Sequence, residues 1–250
     1  MKILFVGDIY GVIGLNYFEK HLKDLKSKYQ PNLIIVNGEN VAEGRGITEK
    51  HYKRLMTLGV SAITMGNWTF VNNDLLNFIE DSNIVRPANY KNTPGQGFKI
   101  INFNGKKVLI INLLGRTFMN ANLENPFETI DKILLENEAD YIFVDFHAEA
   151  TSEKLAFAYY VDGRVNAVVG THTHVQTNDD RKFPKGLLYI SDVGMTGSKD
   201  GVIGVKKEIV LSRFLTGYAP SNKVAEGACQ LNAVFLDLDK EIIEKIRIED

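Results

Sequence analysis

Ile3-Leu4-Phe5-Val6 is an unbroken apolar run that stops at Gly7-Asp8, and an amphipathic stretch follows almost at once. A strand with no polar alternation is buried on both faces, so it demands cover on either side. The unit then recurs. Leu15–Tyr29 carries apolar residues at 15, 18, 22 and 25, one face of a helix. Leu33–Val36 reads as a second strand, followed by a helix beginning near Thr48, which can cap it. Val60–Met65 reads as a third strand and Asn72–Glu80 as a helix. Such alternation argues for an α/β protein with a sheet covered by helices.

The middle of the chain differs. Phe98–Phe103 and Lys107–Asn112 flank Asn104-Gly105, a strong hairpin signal. Tyr141–Phe146 and Val165–Val169 resume the first pattern around a helix near Glu153–Tyr160, and Leu187–Ile190 is another strand. Leu231–Leu238 and Glu241–Ile248 predict a terminal hairpin across Asp239-Lys240. With no linker, repeat or low-complexity tract, residues 1–250 read as one domain built as a mixed α/β sandwich.

Composition narrows the function. A net charge of −2, from 29 Lys+Arg against 31 Asp+Glu, supplies no basic stripe for duplex nucleic acid. The single cysteine, Cys229, excludes an internal disulfide and any C-x-x-C site. No apolar run is long enough to span a bilayer, and the N-terminal run is too short for a signal peptide, so the expected location is the cytoplasm. Homo-oligomerisation is left open.

The chemistry sits where the strands end. The first run delivers Asp8, the second Asn37-Gly38-Glu39-Asn40, the third Gly66-Asn67, Tyr141–Phe146 delivers His147, and Val165–Val169 leads into Gly170-Thr171-His172-Thr173-His174. Ligands of open α/β sheets bind beyond the carboxyl ends of the strands, so parallel strands would converge these groups on one place. Carboxylates, amides and three imidazoles form a mixed donor set suited to manganese, iron or zinc. They are too many for one tetrahedral zinc, whereas two ions about 3.5–4 Å apart sharing a carboxylate would use them all.

Each residue also has a plain structural role available. Asp8 could cap a helix or form a turn, Asn67 could occupy a left-handed turn position, and His147 could be a satisfied core histidine. Glu39 has no special turn chemistry. His172 and His174, at i and i+2, present both rings to one side if that segment is extended. His21 and His51 fall inside helical stretches and read as surface or packing residues. The shared strand-end position makes the case.

These ordered blocks resemble those of the calcineurin-like metallophosphoesterases, and more narrowly the YmdB-like branch of bacterial phosphodiesterases. Val36-Asn37-Gly38-Glu39-Asn40, Asp145 to Lys154 and Ser191-Asp192-Val193-Gly194-Met195 carry the narrower likeness, which runs from Met1 to the C-terminus. The resemblance implies a four-layer αββα sandwich of metallophosphoesterase type with mixed sheets. It also implies a dinuclear centre of iron or manganese, with zinc or magnesium as second choice. Asp8 and His174 would hold one ion and Asn67, His147 and His172 the other, with Glu39 as bridge. Asn40 would lie against the first metal or the phosphate and act in catalysis. The Asp-x-His common in the wider superfamily reads Asp8-Ile9-Tyr10 here, so that ligand is absent.

One block departs from the pattern. The family's Gly-Asn-His, whose histidine protonates the leaving oxygen, reads Gly66-Asn67-Trp68. An indole cannot act as a general acid at neutral pH. The implied activity is hydrolysis of nucleotide phosphodiesters such as 2′,3′-cyclic nucleotides by a metal-activated hydroxide. The alternative is a metal-containing nucleotide-binding or regulatory protein whose catalysis is weak or lost through Trp68. Trp68 would either stack on a base or fill the space of the missing imidazole. A dinucleotide-binding fold fails on spacing, since Gly7, Gly11 and Gly14 do not form G-x-G-x-x-G.

Overall fold

The computed structural model describes residues 1–119 and 122–250. Its first sheet runs in the order β11 (Gly197–Ser198), β12 (Cys229–Asp237), β1 (Lys2–Val6), β2 (Leu33–Asn37), β3 (Ala62–Thr64), β4 (Ile84–Val85), with β13 (Ile242–Glu249) paired to β12. The strands from β1 to β4 are parallel, and β12 is antiparallel to β1. The second sheet runs β5 (Phe98–Phe103), β6 (Lys106–Leu114), β7 (Tyr141–His147), β8 (Ala167–Thr171), β10 (Leu188–Ile190), β9 (Arg181–Lys182). Here β6, β7, β8 and β10 are parallel, while β5 and β9 run against them.

Three buried apolar layers stack the molecule. Between the sheets, Ile3, Phe5, Leu33 and Ile35 meet Ile110, Phe143, Val169 and Ile190. Leu4, Val6, Ile34 and Val36, the alternate residues, face outward under α1 (Gly11–Tyr29) and α2 (Glu49–Thr57), meeting Leu15, Phe18, Leu22 and Leu55. On the far side, Leu109, Val144 and Phe146 pack under α3 (Pro126–Glu136) and α4 (Thr151–Val161), against Ile130, Phe157 and Val161. The order is therefore α, β, β, α, and it explains the continuous apolar strands: both faces of each are covered. Burying each such Leu, Ile or Phe side chain stabilises the fold by about 1.5–3 kcal/mol.

Local chemistry explains most boundaries. Asn104 and Gly105 have φ of 48° and 78°, the two positive values that a two-residue type I′ turn needs, and Phe103 pairs with Lys106. The expected helix over Asn72–Glu80 is instead a 3₁₀ turn, Asn73–Asn77. The Asn72 side chain accepts from Asp74 N at 3.1 Å, a local bond that competes with helix propagation. Thr48 stands at the cap position of α2 without capping it, because its hydroxyl meets His51 Nδ1 at 2.8 Å. The third strand is shorter than expected. Helix α3 and α5 (Lys207–Thr216) were not expected, although Asn125-Pro126 is a legible start, the Asn125 side chain accepting from Phe127 N. Among the described residues no helix is long and apolar enough to cross a membrane.

Candidate metal centre

The carboxyl ends of β1, β2, β3, β7 and β8 share one edge of the sandwich, and the strand-end groups meet there. His147 closes β7 and is fully buried. Its Nδ1 lies 2.8 Å from Thr171 Oγ1, which donates to Asp145 Oδ1 at 2.7 Å. With the hydroxyl hydrogen given to the carboxylate, Thr171 accepts from His147, so the imidazole keeps a hydrogen on Nδ1. Nε2 then faces Asn67 Oδ1 at 3.0 Å, His172 Nδ1 at 3.0 Å and Glu39 Oε1 at 3.1 Å. One hydrogen on Nε2 can serve only one of these three. Ligand atoms about 2.1 Å from one cation and at right angles are about 3.0 Å apart, so this cluster has the spacing of a coordination shell.

The other imidazoles are fixed in the same manner. His172 Nε2 lies 3.0 Å from Glu149 Oε2, which leaves Nδ1 for the site. His174 Nδ1 lies 3.0 Å from the Ile203 carbonyl, which leaves Nε2, 3.3 Å from Asn40 Oδ1. An acceptor thus holds the far nitrogen of every ring, the arrangement that orients metal-binding histidines.

The segment of His172 and His174 is not extended. Strand β8 stops at Thr171, and the two histidines have φ of 101° and 67°. Side chains seldom adopt that region, so the loop is strained and needs external support. A buried ion pair provides it. Lys154 Nζ donates to the Thr171 carbonyl and to Asp192 Oδ2, both at 2.9 Å, and Asp192 accepts from Thr173 N at 2.9 Å and Gly194 N at 2.8 Å.

Glu39 is buried beside His147. Burial alone would raise its carboxyl, but the charge and hydrogen bond of His147 and the Trp68 N–H, donating to Oε2 at 3.0 Å, hold it below its ordinary value. Burial opposes charge on His147, yet Glu39, Asp8 and Asp145 push that imidazole up to about 9. Burial, with the charge of His147, brings His172 down to about 3. Burial raises Asp8 to about 7 against the pull of His174 and His147. Asp8 Oδ2 accepts from His172 N at 3.1 Å, while Oδ1 is buried with no hydrogen-bond partner. That orphaned carboxylate oxygen and the over-subscribed Nε2 fit a cation.

Asp8, Glu39, Asn40, Asn67, His147, His172 and His174 are thus brought to one edge. Glu39, Asn67 and His172 each reach His147 Nε2, Asn40 and His174 form a neighbouring pair, and Asp8 is tied to His172. Glycine is required at Gly66, where a Cβ would collide with Glu39 Oε2 and His147 Nε2. Beyond the centre opens a cleft of about 300 Å³, lined by Tyr10, Arg45, Trp68, Glu149, Thr173 and Asn222 among others. His21 and His51 lie outside it, on α1 and α2.

Below the centre, Asp145 joins the sheets: Oδ2 accepts from Thr64 Oγ1 at 2.5 Å and Asn37 Nδ2 at 3.0 Å, while Oδ1 takes Thr171. Arg45, Asp145, Glu149, Lys154, Thr171 and Asp192 received no role from sequence reasoning. Only Lys154 carried a signal, a lysine in line with Phe157, Ala158 and Val161 on the apolar stripe of α4.

Two mixed sheets between helical layers, with carboxylate, amide and imidazole groups at one strand-end edge, define a metallophosphoesterase fold. A 5′-nucleotidase precursor from Thermus thermophilus shares that fold at a TM-score of 0.58 and 15% identity, covering 100% of this chain and 54% of that one. The family model described as YmdB-like protein matches residues 4–250, and the chain belongs to that family. It is 48% identical over 253 residues to the 2′,3′-cyclic-nucleotide 2′-phosphodiesterase of Bacillus subtilis (strain 168), covering 100% of this chain and 96% of the relative. The crystal structure of a novel phosphatase from Mycoplasma pneumoniae matches at a TM-score of 0.93 and 42% identity, covering 100% of this chain and 93% of that one.

Proposed function

We propose that this chain is a metal-dependent phosphodiesterase acting on nucleotide phosphodiesters, 2′,3′-cyclic nucleotides foremost. The observation that supports it best is the crowding of Asn67 Oδ1, His172 Nδ1 and Glu39 Oε1 around His147 Nε2 at 3.0–3.1 Å. The name of the Bacillus subtilis relative supports the substrate class.

In this reading Asp8, Asn40 and His174 hold one divalent ion, Asn67, His147 and His172 a second, and Glu39 both. Iron or manganese suits the donors best, with zinc or magnesium next. When bound, the ions supply Lewis-acid activation of water and neutralise phosphoryl charge. The chain's own residues do the positioning: Thr171, Glu149 and the Ile203 carbonyl hold the imidazoles in the required tautomers. Asn40 Nδ2 donates to the Gly44 carbonyl at 2.9 Å, so its Oδ1 is presented to the cleft side by a fixed loop.

A second reading, a metal-containing nucleotide binder with weak turnover, is favoured by Trp68 at the family's proton-donor position. The two readings separate by leaving group, because general acid catalysis is worth about 10²–10⁴-fold only where the departing oxygen must be protonated. Protein reconstituted with manganese or iron is assayed on bis(p-nitrophenyl) phosphate and on a 2′,3′-cyclic nucleotide. Nucleotide binding is measured on the same sample. Phosphodiesterase function predicts turnover of both, faster on the activated ester. Tight nucleotide binding without turnover of either would favour the binder.

A further inference from the structure

Arg45 lies with its guanidinium carbon 4.2 Å from the centre of the Trp68 ring, at the mouth of the cleft. A guanidinium held over an aromatic face can leave N–H donors free, a rigid fork that matches two oxygens of a phosphate. Arg45 is exposed, and among the described residues none of those donors is taken by a carboxylate or carbonyl. It is also the one permanent cation among the residues lining the cleft, which otherwise offer the carboxylates of Glu39 and Glu149, the histidines and neutral groups.

The loop that carries Arg45 is built to hold it there. Gly44 and Gly46, on either side, have φ of 87° and 72°. A Cβ on Gly44 would strike the Tyr10 ring. Asn40 closes the turn twice, through its side chain to the Gly44 carbonyl at 2.9 Å and through its own carbonyl to Gly44 N at 3.1 Å. Trp68 is anchored from below by its backbone N–H on Glu39. Arg45 and Trp68 are therefore each fixed to a residue of the metal centre, Asn40 and Glu39.

The geometry points to Arg45 as the phosphate-binding residue of the cleft, with Trp68 as the platform that orients it. This rests on the phosphodiesterase reading above and adds to it the group that receives the anionic, non-bridging phosphoryl oxygens. It gives Trp68 a task other than acid, base stacking or space filling: Arg45 already covers one face of the indole. Arg45 transfers no proton or group in this role.

The experiment measures affinity for inorganic phosphate, together with KM and kcat for bis(p-nitrophenyl) phosphate and a 2′,3′-cyclic nucleotide, with metal content determined in every variant. Arg45→Ala should weaken phosphate binding and raise KM for both diesters by about ten- to hundredfold with metal content unchanged. Arg45→Lys, which keeps charge without the planar fork, should fall between. Trp68→Leu should raise KM about three- to fivefold, and Trp68→Phe, which restores an aromatic face, should recover it. Arg45→Ala with parental phosphate affinity and KM overturns the inference while leaving the phosphodiesterase reading intact. A loss confined to the cyclic nucleotide also overturns it, since it marks a base-reading residue. A parent that binds no phosphate and hydrolyses neither diester overturns both.

Discussion

Glu39 Oε1 stands 3.1 Å from His147 Nε2 with both side chains buried, and each displaces the titration of the other. The pair joins the end of β2 in one sheet to the end of β7 in the other. If Glu39 is the shared ligand, Glu39→Gln weakens both ions, because it removes the charge on which both depend. Elemental analysis after purification without chelator should show both depleted, whereas His174→Ala should deplete mainly one. Two tightly held ions in Glu39→Gln would contradict a bridging role.

In the proposed centre, protons would compete with metal. His147 titrates at about 9 and Asp8 at about 7, both raised from their ordinary values, so metal must displace protons from them. Affinity for the ion assigned to His147 should rise about tenfold per pH unit between about pH 6 and 8, while that for the ion assigned to Asp8 should rise up to about pH 7 and level off above it. Competition with a chelating dye measures it, and a flat profile would contradict the assignment.

The same shifts act on the metal-free fold. The raised His147 contributes stability that is full below 6.5, its ordinary value, and is lost as pH rises through about 9. The lowered His172 works oppositely, losing stability as pH falls from 6.5 toward about 3. Above 6.5 the Asp8 and His147 contributions both decline, so the melting temperature of metal-free protein should drop between about pH 6.5 and 9. A rise over that window would contradict the signs.

Thr171 relays Asp145 to His147 Nδ1. Thr171→Val keeps the volume and removes the relay, so the ring loses the partner that fixes its tautomer. Metal affinity should fall about 10–100-fold. In metal-free protein above about pH 9, where the ring is neutral, nitrogen chemical shifts of His147 should show a mixed tautomer, and an unchanged spectrum with unchanged affinity would show that Thr171 does not fix the ring.

Lys154 and Asp192 are 2% and 1% exposed, so neither charge has water to replace its partner. Lys154→Met leaves Asp192 buried and uncompensated, at a cost of about 3–5 kcal/mol. Urea denaturation of the metal-free variant measures it; a loss under about 1 kcal/mol would mean that solvent reaches the pair.

The layered architecture was legible because strands such as Ile3–Val6 and Leu33–Val36 are apolar without alternation, which only cover on both faces explains. The candidate residues were legible because each follows such a strand. What the sequence hid depends on contacts between distant segments. Asp145 lies inside an apolar strand and looks like an isolated charge until Asn37, Thr64 and Thr171 surround it. The kinked backbone at His172 and His174 is held by Lys154 and Asp192, which bond to Thr171 and Thr173 from 17 and 19 residues away in the chain. Trp68 looked like a lost acid, because the guanidinium above it comes from a different loop.

A two-ion centre bridged by Glu39 is tested by anomalous diffraction at a metal absorption edge from crystals of protein purified with manganese or iron. Two peaks about 3.5–4 Å apart are expected at the strand-end edge. Glu39 should touch both, His147 Nε2 and His172 Nδ1 one, and Asp8 and His174 Nε2 the other. A single peak, peaks away from Glu39, or a metal bound through His147 Nδ1 would contradict it.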